Sequence, residues 1–335
     1  MAIEKITSSQ VAKLAGVSQS AVSRVFTPGA SVSPKTADKV RRAADQLGYR
    51  PNVLARSLIT GKSRIIGLVV AYLNNQFYPE VLEKLSNGLQ AEGYHVLVFM
   101  AAQTSNNMDA VLGELLDYQV DGIVLASVAM SSELALRCHA AGVPVVLFNR
   151  TQDNDSLSSV TSDNFAGGRK AAVHLAQSGY QRIAYIAGWN GASTQRDREA
   201  GFREGLASVG MKLFAREEGD FNFEQAKVAA RRMFSVEERP DAVFICNDHM
   251  AFAVMDVIRD ELGLRIPEDV GVVGYDDVPA AAWGAYKLTT VRQPANRMVQ
   301  ETVNMLMTQI TQEDAPPRRL SLDAPLVVRS SSIKP

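Results

Sequence analysis

The sequence is poor in the residues on which disulfides, metal sites and acid–base catalysis depend. Its 335 residues include two cysteines and four histidines. Cys138 and Cys246 lie far apart in the chain, which predicts no disulfide framework, and the histidines show no metal-ligand spacing. The motifs of serine hydrolases, phosphate-binding loops, dinucleotide-binding enzymes and zinc proteases are also missing. We therefore expect a protein that is not an enzyme and holds neither a metal nor a cofactor.

Membrane-length apolar runs and a secretory signal are missing as well. With 46% hydrophobic and 21% charged residues, the composition is typical of an ordinary soluble protein. These features predict a cytoplasmic protein with no membrane partner. The length exceeds what one hydrophobic core usually organises, so we expect two or three domains.

Charge is distributed unevenly along the chain. Residues 1–64 contain eleven Lys and Arg against three Asp and Glu, whereas the remainder contains 24 basic and 33 acidic residues. A small basic segment joined to a larger acidic one predicts a DNA-binding module attached to a ligand-binding body. The alternative is a solvated helical surface, and the helical pattern of the same segment argues against it.

The basic segment carries the pattern of a helix-turn-helix in residues 9–26. Gly16 separates two short helical runs, and Ser18 is a capping residue for the second. Apolar residues at helical spacing predict the inward faces of the two helices: Val11, Leu14, Ala15, Ala21, Val22 and Val25. The second helix has the right length to lie in a DNA major groove. An ordinary helical hairpin in an unrelated core is the alternative.

A third helix is predicted to begin at Ser33-Pro34, which combine a capping serine with a proline at the first helical position. Its apolar positions recur over two turns at Val40, Ala43, Ala44 and Leu47. The pattern predicts that this helix closes a small core over the first two. A short helical stretch at 52–58 and a linker at 59–64 follow.

Beyond the linker, apolar runs alternate with amphipathic segments. The predicted strands are 65–73, 95–101, 122–127, 144–149, 182–188, 242–248 and 270–277, and the predicted helices are 79–93, 107–118, 132–141, 164–178, 197–209, 223–235 and 248–263. This alternation predicts parallel sheets covered by helices on both faces. Two sets of units, the first ending near residue 149 and the second starting near residue 160, predict two similar doubly wound α/β subdomains.

Polar and aromatic residues collect where the predicted strands end. In open parallel sheets, ligands bind beyond the carboxyl ends of the strands. The residues at these ends are Asn75, Phe77, Tyr78, Ser127, Asn149 and Arg150 in the first set, and residues 189–198, Phe221, Asn247, Asp248, Asp276 and Asp277 in the second. Two facing sets predict a cleft that closes on a small polar molecule.

Several stretches together resemble the lactose repressor and purine repressor family of bacterial transcription regulators. They are AGVSQSAVSRV, SPKTADKVRRAADQLGYRPNVLARSL and the strand IIGLVV, and the similarity extends over nearly the whole chain. The resemblance implies a homodimeric repressor that binds palindromic operator DNA and is controlled by a small-molecule effector. It also implies a periplasmic-binding-protein-like body in which the chain passes between subdomains near residues 162, 290 and 323.

The predicted domain organisation combines these arguments. The domains are a helix-turn-helix headpiece at 1–50, a hinge helix and linker at 51–64, a first effector-binding subdomain at 65–161 with 291–322, and a second at 162–290 with 323–335. The assignment of the helix at 295–310 to the first subdomain follows from the resemblance alone.

The resemblance assigns DNA contacts to the headpiece and the hinge. The implied DNA-binding residues are Ser18, Gln19, Ser20, Ser23, Arg24, Ala55, Arg56 and Leu58. Gln19, Ser20 and Arg24 match the positions that read bases in the family. Arg can bind guanine, and Gln can bind adenine, through paired hydrogen bonds. Leu58 matches a leucine that enters the minor groove and kinks the DNA, although it also fits a plain linker residue. Thr27 departs from the family pattern, which usually has Asn there, so phosphate contacts of this loop are not carried over.

The candidate effector-binding residues are Phe77, Tyr78, Asn149, Arg150, Arg196, Arg198, Phe221, Asn247 and Asp276. The family match supports Arg198 and Asp276 most strongly. It also places Asn247 at an effector-contacting position and Phe77 and Tyr78 at positions that line the pocket, although each residue also has a structural explanation, such as a turn cap for Asp276. Arg150, Arg196 and Arg198 together favour an anionic effector such as a sugar acid or sugar phosphate. A solute-binding protein of a sugar transporter is the alternative function, against which the basic headpiece argues.

Overall fold

The computed structural model describes residues 6–27, 29–50, 62–101, 108–128, 131–152, 157–312 and 314–334. The chain forms two compact units, residues 1–63 and residues 64–335. The predicted helix at 52–58 and the predicted linker residues 59–61 lie outside the described residues. Within the ranges described, no helix is both long enough and apolar enough to span a bilayer.

The first unit contains three helices, as the sequence predicts: α1 (Ser8–Ala15), α2 (Gln19–Val25) and α3 (Pro34–Leu47). Ser18 caps α2 by accepting a hydrogen bond from the Ala21 backbone N–H, and Ser33 caps α3 in the same way. The fully buried side chains of Val11, Val22 and Val40 form the centre of the core.

The packing of α1 and the way the helix begins both differ from the sequence pattern. Leu14 has helical spacing with Val11, but its side chain is 47% exposed, and the small Ala12 packs inward instead. The short α1 packs against both α2 and α3, so the side of α1 that carries Ala12 meets the neighbouring helices. The helix also begins with a capping box, in which Thr7 and Gln10 satisfy each other's backbone N–H groups.

The second unit contains two six-stranded sheets. The first sheet has the strands β1 (Ile65–Val70), β2 (His95–Met100), β3 (Gly122–Ala126), β4 (Val145–Phe148), β5 (Ser158–Ser162) and β11 (Arg319–Leu322). Their order is β11-β5-β4-β3-β1-β2, and every pair is parallel. The sequence predicts the first four of these strands and misses β5 and β11.

The second sheet repeats this arrangement. Its strands are β6 (Ile183–Ala187), β7 (Arg216–Glu218), β8 (Ala242–Ile245), β9 (Gly271–Asp276), β10 (Thr289–Arg292) and β12 (Leu326–Val327). Their order is β12-β10-β9-β8-β6-β7, parallel except for β12 against β10. In each sheet the order reverses beside the first strand, which is the switch point where doubly wound folds bind ligands.

Helices cover the two sheets. They are α4 (Phe77–Ala91), α5 (Met108–Asp117), α6 (Ser132–Ala140), α7 (Asn164–Gln177), α8 (Ser193–Ser208), α9 (Phe223–Phe234), α10 (Asp248–Asp256) and α11 (Ala295–Thr311). A π-helical turn at Val257–Glu261 replaces the end of the predicted helix at 248–263. Because β1 sends Leu68 into one apolar cluster and Val69 into another, both faces of the first sheet are buried.

The last helix, α11, packs against α4 and the first sheet. A Cβ added at Gly88 of α4 would lie 3.2 Å from Val303 of α11, and the Gln309 amide donates a hydrogen bond to the Ser158 hydroxyl at 2.8 Å. Sheet membership changes after Ser162, between Arg292 and α11, and after Leu322. The exact subdomain boundaries given above stay a prediction.

Helices α7 and α8 approach each other more closely than side chains usually allow. A Cβ added at Gly201 would lie 1.9 Å from the backbone oxygen of Phe165, and one added at Gly168 would lie 2.1 Å from the backbone oxygen of Arg198. Glycine is therefore required at this crossing, which brings the two backbones into contact. The crossing fixes the position of Arg198 relative to α7.

Candidate functional site

The first unit presents the predicted DNA-reading residues on the outer face of α2. The side chains of Ser18, Gln19, Ser20, Ser23 and Arg24 are exposed, while Val22 holds the helix to the core. The Gln19 amide donates a hydrogen bond to the Ser8 hydroxyl at 2.9 Å. The Arg24 side chain makes a long hydrogen bond, 3.4 Å, to the Ser20 carbonyl. These polar groups are available to a partner. Ala55, Arg56 and Leu58 lie outside the described residues.

The second unit has a cavity at the carboxyl ends of its strands. It encloses about 330 Å³, which includes open solvent at its mouth. The residues that line it are Tyr72, Asn75, Tyr78, Asn149, Arg150, Thr194, Arg198, Phe221, Asn247 and Asp276. They come from both sheets, so both halves of the unit contribute to one cavity.

The backbone around this cavity is unusually strained. Non-glycine residues with positive φ occur at or just beyond the strand ends: Tyr72 (63°), Ser127 (57°), Asn149 (64°), Phe221 (56°) and Asp276 (125°). Such conformations cost of the order of 1–3 kcal/mol each and concentrate at functional sites. The packing of the two sheets holds these residues in place, which is consistent with a preorganised binding site.

A short hydrogen-bond chain lines the first-sheet side of the cavity. The Tyr78 hydroxyl shares a hydrogen bond with the Ser127 hydroxyl and accepts another from the Asn149 amide at 3.0 Å. Burial raises the pKa of Tyr78, so the phenol stays neutral. The chain therefore connects α4 with the ends of β3 and β4 and orients Asn149, whose Oδ1 atom has no partner in the part of the molecule that the structure covers.

Arg198 is the central residue on the second-sheet side. It is 2% exposed. Its Nε donates to Asn164 Oδ1 at 2.8 Å and its Nη1 donates to the Cys246 carbonyl at 2.6 Å. The guanidinium stacks on the Tyr275 ring at 3.5 Å, and its Nη2 lies 3.8 Å from Asp276 Oδ1. These contacts fix the guanidinium rigidly.

Asp276 connects the two halves of the cavity. Its carboxylate accepts hydrogen bonds from Asn75 of the first half at 3.3 Å and from Gln293 at 2.8 Å. Burial raises the pKa of Asp276, while Arg198 opposes this shift. Asp248, fully buried beneath it, also has its pKa raised by burial and by the nearby charge of Asp276. Asp276 is thus a buried hydrogen-bond acceptor that a ligand in the cavity can contact.

Asn247 is placed by the local structure of α10. As the N-cap residue, it uses Oδ1 to accept the Met250 backbone N–H at 3.0 Å. This cap fixes the amide, which lines the cavity. Aromatic rings line another part of the cavity, where Tyr72 meets the edge of Phe221 with ring centres 6.0 Å apart. Amide donors and aromatic rings together suit a ligand with hydroxyl groups and apolar faces.

Seven of the nine predicted effector-binding residues line the cavity, and Phe77 and Arg196 do not. Phe77 is buried and stacks on Phe148, with ring centres 6.3 Å apart. Arg196 is exposed, and its Nη1 donates to the Gly191 carbonyl at 3.1 Å. The structure therefore brings together Arg150 and Arg198, but not the cluster of three arginines considered from the sequence.

Tyr72 also lines the cavity, although the sequence reasoning did not select it. Asn75 and Thr194 line it as well, and the sequence analysis names them only in the wider set of strand-end residues. The predicted strand includes Tyr72, but β1 ends at Val70 and Tyr72 leaves the sheet. The turn-forming pair Asn74-Asn75, which follows the predicted strand, could have indicated that the strand ends earlier. Thr194 lies in the first turn of α8, which begins four residues before the predicted helix.

Comparison with known proteins gives matches over both units. Residues 8–52 match the family model "Bacterial regulatory proteins, lacI family", and residues 172–332 match the "Periplasmic binding protein-like domain" model. The chain is 35% identical to the HTH-type transcriptional regulator CelR of Thermobifida fusca over 97% of this chain and 98% of that protein. This relative is a transcription regulator rather than an enzyme.

Two solved structures are similar over almost the whole chain. A CelR–cellobiose complex is 34% identical with a TM-score of 0.74, covering 98% of this chain and 100% of the other. The lac repressor dimer bound to operator and the anti-inducer ONPF is 28% identical with a TM-score of 0.88, again covering 98% and 100%. The fold predicted from the sequence, a helix-turn-helix headpiece with two parallel-sheet halves, is confirmed.

Proposed function

We propose that this chain, which belongs to the lacI family of bacterial regulatory proteins, is a homodimeric repressor controlled by a small carbohydrate. Membership of the family makes the chain a DNA-binding transcription regulator. The observation that carries the proposal is the exposed polar face of α2, formed by Gln19, Ser20 and Arg24 on a capped helix-turn-helix. A DNA-binding unit of this kind distinguishes the chain from a transporter's solute-binding protein. The cytoplasm is the compartment in which such a regulator acts.

In this proposal, α2 enters the DNA major groove. Arg24 hydrogen bonds to guanine and Gln19 to adenine, while Ser18 and Ser23 contact phosphates and set the position of the helix. Two headpieces occupy the half-sites of a palindrome, as dimeric helix-turn-helix proteins do. Ala55, Arg56 and Leu58 are proposed minor-groove contacts by family resemblance.

Replacing Arg24 with alanine is expected to weaken binding to the preferred operator and to relax discrimination at one base pair. The loss amounts to about 1–3 kcal/mol at that position, because one paired base contact disappears. The measurement is fluorescence anisotropy of the purified full chain on an operator obtained by selection from random DNA, with single base-pair substitutions.

Arg41→Ala is the matched variant for this experiment, because Arg41 is an exposed arginine on α3. We propose Arg41 as a phosphate contact, so its replacement is expected to weaken binding equally on all sequences and to reduce the salt dependence. If Arg24→Ala produced the same uniform loss, Arg24 would be a phosphate contact and the proposed readout would be wrong.

The cavity in the second unit is the proposed effector site. Asp276 and Asn149 offer acceptors, and Asn247 offers an amide group that can bind hydroxyls. The rings of Tyr72 and Phe221 suit the apolar face of a sugar. Ligand contacts from both halves would favour one closure of the cavity and so bias the distance between the two hinges of the dimer.

Asp276→Asn is expected to remove the effector response, because the substitution replaces a buried charged acceptor with an amide. The effector is first identified by a thermal-shift screen of sugars, sugar acids, sugar phosphates and nucleobases. Operator affinity of both proteins is then measured with and without the hit. An unliganded variant that loses operator affinity as strongly as it loses the response would show that Asp276 acts on the fold instead.

A further inference from the structure

Arg150 is a buried cation that has no counter-charge among the residues that the structure describes. It is the second residue after the end of β4 and is 6% exposed. Over the residues that the structure describes, it forms no ion pair, its Nη2 makes one long hydrogen bond of 3.5 Å to the Tyr72 hydroxyl, and its Nε has no partner. Arginine is almost never buried unless paired, because removing a charge from water is costly. Arg198, equally buried, has Asp276 and two hydrogen bonds.

Aromatic rings surround the Arg150 guanidinium. Its centre lies 5.6 Å from the middle of the Tyr72 ring and 5.7 Å from that of the Trp189 ring. Cation–π contacts engage the faces of a guanidinium and leave the N–H groups along its edge free. The free Nε and a neighbouring Nη form the donor pair that binds two carboxylate oxygens side by side. Arg150 therefore has a donor pair that a planar anion could satisfy.

Asn149, the residue before Arg150, is a second polar residue with an unsatisfied atom, as far as the described residues show. Asn149 is 2% exposed, and its Nδ2 is already used by the Tyr78 hydroxyl. Its Oδ1 accepts no hydrogen bond from any described residue. A buried acceptor without a donor costs about 1–3 kcal/mol, so a ligand that donates a hydroxyl there gains affinity. The ligand that satisfies both residues carries a hydroxyl close to its anionic group.

The charges that line the cavity indicate the size of the ligand charge. Arg150 and Arg198 are cations, and among the described residues of the lining Asp276 is the only carboxylate. One positive charge is therefore left uncompensated, and it belongs to Arg150. A carboxylate supplies one negative charge, whereas a phosphate monoester carries about 1.5–2. The balance favours a monocarboxylate.

We propose that the effector is a polyhydroxylated monocarboxylate, that is, a sugar acid, whose carboxylate binds the edge of Arg150 and whose neighbouring hydroxyl donates to Asn149 Oδ1. This inference rests on the proposed effector-binding role of the cavity and names the chemical class of its ligand. It assigns the anion to Arg150 alone, since Arg198 is paired and Arg196 lies outside the cavity.

The test uses the purified full chain and the variant Arg150→Met, which keeps an unbranched side chain, although a shorter one, and removes the charge. Melting temperature and calorimetric affinity are measured with D-gluconate, D-galactonate, D-glucuronate and D-galacturonate, with D-glucose and D-galactose, and with glucose 6-phosphate. We expect at least one acid to bind and to raise the melting temperature where its neutral parent does not. Arg150→Met is expected to weaken that acid about a hundredfold, as the loss of one partner of a buried charge pair does.

Arg203→Met is the matched control, because Arg203 is an exposed arginine paired with Glu199 on the outside of α8. It removes the same charge and is expected to leave the affinity for the acid unchanged. The inference is overturned if Arg150→Met retains the wild-type affinity, if neutral sugars bind and acids do not, if glucose 6-phosphate binds tighter than every acid, or if no acid binds.

A measurement without any ligand tests the same idea independently. Removing an uncompensated buried charge is expected to raise the melting temperature of the unliganded protein by about 2 °C or more, whereas Arg203→Met does not. A lower melting temperature for Arg150→Met would show that Arg150 stabilises the fold and would overturn the inference. Selection of a palindromic operator by the wild-type chain tests the regulator function separately, so a failure of the acids leaves that result standing.

Discussion

Arg198→Met is expected to lower the free energy of unfolding of the second unit by about 3–5 kcal/mol, the cost of breaking a buried ion pair on one side. The substitution leaves the 5%-exposed Asp276 without its cation, and Asn164 Oδ1 and the Cys246 carbonyl lose their charged donors. Methionine fills much of the volume, so the loss reports electrostatics and hydrogen bonding rather than a cavity. Chemical unfolding of the full chain followed by circular dichroism measures it.

The pH dependence of this loss has a definite sign. Burial raises the pKa of Asp276 and Arg198 opposes the shift, so the variant has the higher Asp276 pKa. A carboxyl whose folded pKa is raised destabilises the fold as pH rises through that pKa. The deficit of Arg198→Met is therefore expected to be smaller at pH 5 than at pH 8. Adding Asp276→Asn is expected to recover part of the loss by about 1–3 kcal/mol.

The control for this prediction is again Arg203→Met. Arg203 belongs to the same helix, but its side chain is 50% exposed and its ion pair with Glu199 lies at the surface. Surface pairs contribute about 0–1 kcal/mol, so this variant is expected to remain close to wild type. Equal losses for the two variants would contradict the role assigned to the buried pair.

Gly201→Ala is expected to destabilise the second unit by about 3 kcal/mol and to weaken effector binding at the same time. The added Cβ would lie 1.9 Å from the Phe165 backbone oxygen, and a backbone atom cannot rotate out of the way. Helices α7 and α8 must then separate, which is the cost of overpacking. Because α8 carries Thr194 and Arg198, their positions in the cavity change with it.

The matched control is Gly113→Ala in α5. A Cβ at Gly113 meets no atom within 4 Å, so the substitution gains helix propensity without a clash. It is expected to stabilise the protein by up to about 1 kcal/mol. Chemical unfolding and calorimetric titration with the identified effector compare the two variants. Similar stability for both would show that the α7–α8 crossing tolerates a side chain.

The sequence predicts the strands whose composition is continuously apolar, and it misses those whose composition is polar. The residues of β5 are SSVTS, yet all five are buried. The hydroxyls at the two ends of the strand find partners that are distant in the chain, Gln293 for Ser162 at 3.0 Å and Gln309 for Ser158 at 2.8 Å. Periodicity cannot reveal such partners, because they become neighbours only after the sheets form.

The same limit applies to the cavity. Strand ends locate the region correctly, since parallel strands place their carboxyl ends on one edge of a sheet. Whether each arginine is paired or exposed depends on contacts with residues that are distant in the sequence. Arg198 meets Asn164 only because glycines let α7 and α8 touch, and Arg196, two residues earlier, faces solvent. The chemical role of an arginine follows from its neighbours rather than from its proximity in the chain.

The last two strands of the chain have a genetic consequence. β11 forms the outer edge of the first sheet and β12 that of the second, within ten residues of each other. A nonsense codon shortly after residue 312 would delete both strands and leave β5 and β10 as open edges that invite aggregation. Truncations this late in the gene would therefore inactivate the repressor as fully as early truncations.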